Sequence, residues 1–282
     1  MKNIEPAVRT QSIGDTSLQY LDYEGDGAPI LLLHATGFLP WMWHPIAREL
    51  AGDHRVIAPY FCDHRYAEPE EGGLEWLLLA EDLCRLCTSL AIEDPFLVGH
   101  SMGGTVITLA NALHGQPARA MVLIEPIFLP EELYSLKMSV DQHPLASKSI
   151  KRRSTWENDA QVREYLRSRK LFRNWDEEML ELYIRYGMVP GENGGLTLAC
   201  SPRHEAALFM GSVRYNPWPL LEKIQCPVMV VEGGESENRH FIDLGKASAR
   251  FPRAVYRVVP GAGHLVPMEK PKETIALIKE ML

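Results

Sequence analysis

The order of apolar segments along this chain predicts an α/β fold: a doubly wound, mostly parallel sheet carrying one large helical insertion. Three observations carry that expectation. Continuous apolar runs such as Pro29-Ile30-Leu31-Leu32-Leu33 read as strands buried on both faces of a parallel sheet. From residue 29 onward such runs alternate with segments of helical period. Residues 128–219 then break the alternation with helical patterning alone, a stretch too long to be a loop.

Taken in order, residues 8–13 and 18–23 alternate apolar and polar side chains around Gly14-Asp15, which predicts a hairpin. Asp26-Gly27 turns the chain into the run at 29–33, followed by His34-Ala35-Thr36-Gly37-Phe38 and a helix near 43–50. Residues 55–58 form the next strand and 74–90 a helix of clear period. Phe96-Leu97-Val98 leads as a strand into Gly99-His100-Ser101-Met102-Gly103-Gly104, with a helix over 105–113 and a strand over 120–124 that ends at Glu125-Pro126. After the insertion, strands at 227–231 and 255–259 alternate with helices near 241–249 and 271–282. Residues 1–127 and 220–282 are thus expected to form a core domain, and 128–219 a helical cap over the carboxyl ends of the strands, where α/β sheets bind ligands.

Bulk properties exclude several classes. With 282 residues, 46% hydrophobic and 23% charged, the chain is of ordinary globular composition. Its net charge of −8 argues against a nucleic-acid partner. No apolar run is long enough to span a membrane, and the first residues lack the apolar core of a signal peptide. Five cysteines, an odd number, point to reduced thiols and a cytoplasmic location. Cys84-x-x-Cys87 lies inside a helical pattern and reads as packing rather than as a redox or zinc pair. Asp63-His64 and the scattered histidines lack metal-ligand spacing, no dinucleotide motif stands out, and no cofactor is expected.

The chemistry concentrates at Gly99-x-Ser101-x-Gly103. A serine hydroxyl attacks only when it projects into a cleft within reach of a base, so it belongs at the apex of a sharp strand-to-helix turn. Glycines flank it because a Cβ on either would clash where helix and strand cross. Together with an acid after a later strand and His264 near the end, this Ser-acid-His order resembles the α/β-hydrolase fold from about residue 8 to the C-terminus. The turn at 34–38 resembles one that in many members begins His-Gly. The chain looks like the serine hydrolases with a helical lid: esterases, lactonases and carbon–carbon bond hydrolases.

That resemblance implies Ser101 as nucleophile and His264, in Pro260-Gly261-Ala262-Gly263-His264, as base. It places the acid after the strand at 228–231, commonly as Gly-x-x-Asp, where this chain reads Glu232-Gly233-Gly234-Glu235-Ser236-Glu237-Asn238. Glu237 is the first expectation; Glu125, at a position from which some members supply their acid, and Glu235 are the alternatives. The oxyanion donors would be the backbone N–H groups of Met102 and Thr36, each stabilising the transition state by roughly 3–4 kcal/mol. Thr36 alternatively only shapes its turn, and His34 supports it.

The expected function is hydrolysis of an ester, thioester, lactone or activated carbon–carbon bond of a small acyl substrate through an acyl-serine. Acyl transfer on the same residues and a non-catalytic ligand-binding role are the alternatives. Residues 148–173 carry nine basic and three acidic side chains. This strip either steers an anionic substrate or is a solvated face balanced by Asp176-Glu177-Glu178.

Overall fold

The computed structural model describes residues 4–192 and 194–282. Its centre is an eight-stranded sheet. The strands before the insertion are β1 (Ala7–Ser12), β2 (Ser17–Tyr23), β3 (Ile30–Leu33), β4 (Val56–Pro59), β5 (Phe96–His100) and β6 (Ala120–Ile124). Three short strands lie within the insertion, and β10 (Val228–Gly233) and β11 (Ala254–Val259) follow it. The order across the sheet is β1-β2-β4-β3-β5-β6-β10-β11. β1 pairs with β2, and β2 with β4, antiparallel; every other pair is parallel. The hairpin expected around Gly14-Asp15 is therefore β1-β2, and the long apolar runs are the inner strands.

Those runs are apolar at every position because both faces of the sheet are covered. β3, β5, β6 and β10 are buried throughout. Ile30 and Leu32 face one core with Ile46, Ala47 and Leu50 of α1 (His44–Leu50); Leu31 and Leu33 face the other with Leu79, Leu83 and Leu86 of α2 (Trp76–Ser89) and Val106 and Ile107 of α3 (Met102–His114). Cys84 and Cys87 sit on α2 as free thiols, and burial raises them to about 11 and about 12.

Between β6 and β10 the chain forms α4 (Pro144–Ile150), β7 (Thr155–Trp156), α5 (Asp159–Arg167), α6 (Glu177–Gly187), β8 (Met188–Pro190), β9 (Leu196–Leu198) and α7 (Pro202–Gly211). The expectation of helices alone is corrected here: β7, β9 and β8 make a small antiparallel sheet. Strands of two or three residues are too short to leave an alternating pattern in the sequence. Downstream, α8 (Leu244–Ser248) is shorter than expected, and α9 (Val266–Glu269) and α10 (Pro271–Lys279) follow β11.

The insertion rests on loops that leave the carboxyl ends of the core strands. Trp175 and Tyr183 pack on Phe38, after β3, at ring-centroid distances of 5.7 and 5.6 Å. Asp176 N–H donates to Met268 O at 2.9 Å, and Glu178 forms a bidentate pair with Arg48 of α1. Arg152 donates to Glu205 of α7 at 2.8 Å, and that carboxylate fills the space a Cβ on Gly37 would need.

The β5–α3 crossing depends on its glycines. A Cβ on Gly99 would overlap the Gly103 carbonyl, and one on Gly103 would overlap the Leu33 carbonyl, both rigid backbone. Gly103→Ala is therefore expected to lower unfolding stability by at least about 2 kcal/mol, read from denaturant midpoints. Gly52→Ala, where a Cβ meets nothing within 4 Å, is the control expected to shift stability by no more than about 0.5 kcal/mol. Equal stability of the two variants would contradict the crossing argument.

Candidate active site

Ser101 caps α3 with φ 54° and ψ −116°, a conformation that side-chain-bearing residues adopt only under constraint. The constraint is visible: its N–H donates to Ile124 O of the neighbouring strand at 2.9 Å, while its own carbonyl accepts from Gly104 and Thr105. The residue after Ile124 is Glu125, also at positive φ (49°), with its N–H donating to Val231 O at 2.8 Å. Two adjacent parallel strands therefore end in two strained residues at one level of the sheet.

His264 joins them. Its Nε2 lies 3.1 Å from Ser101 Oγ, and its Nδ1 lies 2.9 Å from Glu125 Oε2. Glu125 is 1% exposed. Its Oε1 accepts Gly233 N–H at 2.7 Å and its Oε2 accepts the Ser236 hydroxyl at 2.7 Å, so each carboxylate oxygen has a donor inside the protein. The side-chain amide nitrogen of Asn238 lies 2.9 Å from His264 Nδ1 as well. The loop that carries His264 is tied down at several points. Glu235 N–H donates to Ala262 O at 2.8 Å, Gly263 N–H donates to Glu269 Oε2 at 2.8 Å, and His100 Nε2–H donates to the His264 carbonyl at 2.9 Å.

The structure does not bring Glu237 to His264. Its side chain is 79% exposed and pairs with Lys170 of the insertion at 2.6 Å, a contact that lowers its carboxyl below the ordinary range. Glu235 is exposed too. The expected acid register fails because Ser236, standing where an aspartate was sought, turns its hydroxyl to the carboxylate of the neighbouring strand. Glu125, the alternative, is the carboxylate that meets His264. Sequence reasoning missed Ser236 and Asn238 as partners. The one signal available was a carboxylate at the end of a fully apolar strand, followed by proline.

The backbone N–H groups of Met102 and Thr36 have no hydrogen-bond partner among the described residues, Met102 as the first amide of a helix and Thr36 as the second residue of a turn closed by Phe38 N–H donating to Ala35 O. His34 shapes that turn: Nδ1–H donates to Ala35 O at 2.8 Å, and Nε2 accepts Phe61 N–H at 2.9 Å. This arrangement requires the neutral ring, and burial depresses His34 to about 4. Among the described residues no cluster of three His, Cys, Asp or Glu side chains is arranged to hold a metal ion; His64 pairs with Asp82 at 3.0 Å. Among the same residues no helix is long and apolar enough to cross a membrane.

A mostly parallel sheet with a serine on a strained strand-to-helix turn, faced by a histidine after the last strand, defines the α/β-hydrolase class. The chain belongs to the Alpha/beta hydrolase family, which matches residues 30–277. It is similar to the 2-(acetamidomethylene)succinate hydrolase of Mesorhizobium japonicum, with 26% identity over 276 residues, 97% of this chain and 94% of that protein. It is similar as well to the esterase YbfF of Escherichia coli, with 26% identity over 267 residues, covering 91% and 94%. Among solved structures, E-2-(acetamidomethylene)succinate hydrolase shares the fold at a TM-score of 0.82 and 24% identity over 98% of each chain. The thioesterase domain from the curacin biosynthetic pathway does so at 0.79 and 19%, over 97% of this chain and 99% of that one.

The buried histidines give the fold an acid limit. Burial, then the neighbouring His264 ring, depresses His100 to about 3. A folded value below the unfolded one means the unfolded chain binds more protons in between, so stability falls as pH drops from about 6.5 toward about 4. Each histidine contributes a slope of at most about 1.4 kcal/mol per pH unit there. Urea midpoints should decline from about pH 7 to about pH 4.5, and His34→Gln should flatten that decline relative to wild type. An unchanged slope would contradict the neutral-ring assignment.

Proposed function

We propose that this chain is a serine hydrolase that cleaves a carboxylic ester, or a thioester, lactone or activated carbon–carbon bond, of a small molecule through an acyl-enzyme. The observation that carries the reading is the unbroken contact chain Ser101 Oγ–His264 Nε2 and His264 Nδ1–Glu125 Oε2, at 3.1 and 2.9 Å. The relatives named hydrolase and esterase support the same chemistry.

In this mechanism Ser101 Oγ attacks the substrate carbonyl while His264 Nε2 takes its proton. Glu125 keeps the ring hydrogen on Nδ1 and stabilises the imidazolium that forms. The carbonyl oxygen, now negative, accepts from the free N–H groups of Met102 and Thr36. His264 returns its proton to the leaving group, and water, activated by the same ring, releases the acid product. Phe38, Trp175 and Tyr183 pack together beside the turn that carries Thr36, and the Arg152–Glu205 ion pair lies against Gly37 of the same turn.

Turnover of short p-nitrophenyl esters tests the assignment. Ser101→Ala and His264→Ala are each expected to lower kcat at least ~10⁴-fold, and Glu125→Gln about 10³- to 10⁴-fold. Glu237→Gln and Glu235→Gln should stay within about threefold of wild type. A Ser101→Ala loss below tenfold in folded protein would refute the mechanism. Carboxylate release that is independent of added alcohol or thiol is expected for hydrolysis rather than acyl transfer.

The basic strip does not act as an anion funnel in this reading. Five of its nine cations are paired with carboxylates: Lys151 with Asp141, Arg152 with Glu205, Arg163 with Glu181, Arg167 with Glu177 and Lys170 with Glu237. Pairing cancels the field beyond a Debye length of about 10 Å at 0.1 M salt. The kcat/KM ratio of a carboxylate-bearing ester to its neutral match should therefore change less than about twofold between low and high salt. Strong erosion of that ratio by salt would restore steering.

A further inference from the structure

His264 Nδ1 has two partners at one distance, Glu125 Oε2 and the amide of Asn238, each at 2.9 Å. A ring nitrogen holds either one hydrogen or one lone pair, so it cannot donate to the carboxylate and accept from the amide at once. Glu125 Oε2 only accepts, and it already takes the Ser236 hydroxyl hydrogen. The ring must therefore carry Nδ1–H. An –NH₂ group facing that hydrogen would oppose donor to donor, and the orientation of a side-chain amide is assigned from its network. The network requires Asn238 Oδ1 toward the ring, sharing Nδ1–H with Glu125. The reversed amide suits only the other tautomer, with the hydrogen on Nε2, where it faces the Ser101 hydroxyl and leaves the serine without a base.

The backbone holds Asn238 at this place. Its N–H donates to Ser236 Oγ at 3.3 Å, and its carbonyl accepts from Phe241 N–H and Ile242 N–H at 2.9 and 2.7 Å. Next to it, Arg239 pairs with Glu232 of β10. Ser236 Oγ thus accepts from Asn238 and donates to Glu125, and both of those side chains meet His264 Nδ1. The four residues close a ring of hydrogen bonds, in which Asn238 contributes its backbone N–H to Ser236 and its side chain to His264.

We propose that Asn238 is a positioning residue that holds His264 in its productive tautomer through direct contact of its side chain with Nδ1. The proposal rests on the Ser101-His264-Glu125 reading above. It predicts that a carboxylate placed at 238 reaches the same ring nitrogen.

Four proteins test it: wild type, Asn238→Ala, Glu125→Gln and the double variant Glu125→Gln/Asn238→Asp, assayed on one p-nitrophenyl ester. Asn238→Ala is expected to lower kcat about five- to twentyfold with KM within about twofold, as for a group acting through the base. The double variant is expected to exceed Glu125→Gln in kcat by at least about tenfold. In ¹⁵N spectra of labelled histidine, Glu125→Gln should move the His264 hydrogen toward Nε2, and the carboxylate introduced by Asn238→Asp should return it to Nδ1. A folded double variant no faster than Glu125→Gln, with the hydrogen still on Nε2, overturns the contact of residue 238 with the ring. Asn238→Ala within twofold of wild type overturns the positioning role. If Glu125→Gln alone keeps wild-type activity, the triad reading fails first, and the inference falls with it.

Discussion

The hydrogen bond from Ser101 N–H to Ile124 O holds the site at one level. β5 and β6 are parallel neighbours in register, His100 opposite Ile124, so the residues that follow them emerge side by side. Both residues, Ser101 and Glu125, take positive φ without being glycine. Such conformations are costly, of order 1–3 kcal/mol each, and persist only when the surroundings over-determine them. Here the surroundings are the bond to Ile124, the bond from Glu125 N–H to Val231 O, and the glycines that let α3 lie against β3 and β5. The functional geometry is inseparable from the packing of the sheet.

Much of this architecture was readable from residue order. Leu31, Leu32 and Leu33 announce a strand covered on both faces, and Gly99 and Gly103 announce the crossing, because burial and close approach act directly on residue type. His264 was readable because glycines precede it after the last strand. The carboxylate that meets His264 was not. Glu125 and Glu237 are the same residue type, each following a strand, and burial together with the bonds from Gly233 N–H and the Ser236 hydroxyl separates them. Those are tertiary facts. The small sheet of β7, β8 and β9 escaped for a related reason: its pairing joins residues around 155 to residues around 197, and neither stretch is long enough to reveal a period.

Charge in the insertion follows the same lesson. Counted along the sequence, residues 148–173 form a basic block. In space their partners come from elsewhere: Glu177 and Glu181 from α6, Glu205 from α7 and Glu237 from the core. Arg169 and Arg153 lie over the Tyr165 ring, at 4.3 and 5.7 Å from its centroid. Of the carboxylate partners a linear reading reaches only Glu177, in the acidic run just beyond the block; the others are met across helices. Against the turn at Gly37 the insertion sets aromatic rings and the half-buried ion pair Arg152–Glu205.

The bond from His100 to the carbonyl of His264 has a consequence for tolerance. In an assembly of parts, positional error accumulates with every joint between two points that must meet. Ser101 and Glu125 are mounted on adjacent strands of one slab, and His100, on the same slab, grips the backbone of the third member. Although His264 arrives from the far edge of the sheet, past β10 and β11, its position is gauged against β5 rather than against the long path by which the chain reaches it. The spacing of the His264 ring from Ser101 and Glu125 is therefore set across the sheet rather than along the chain.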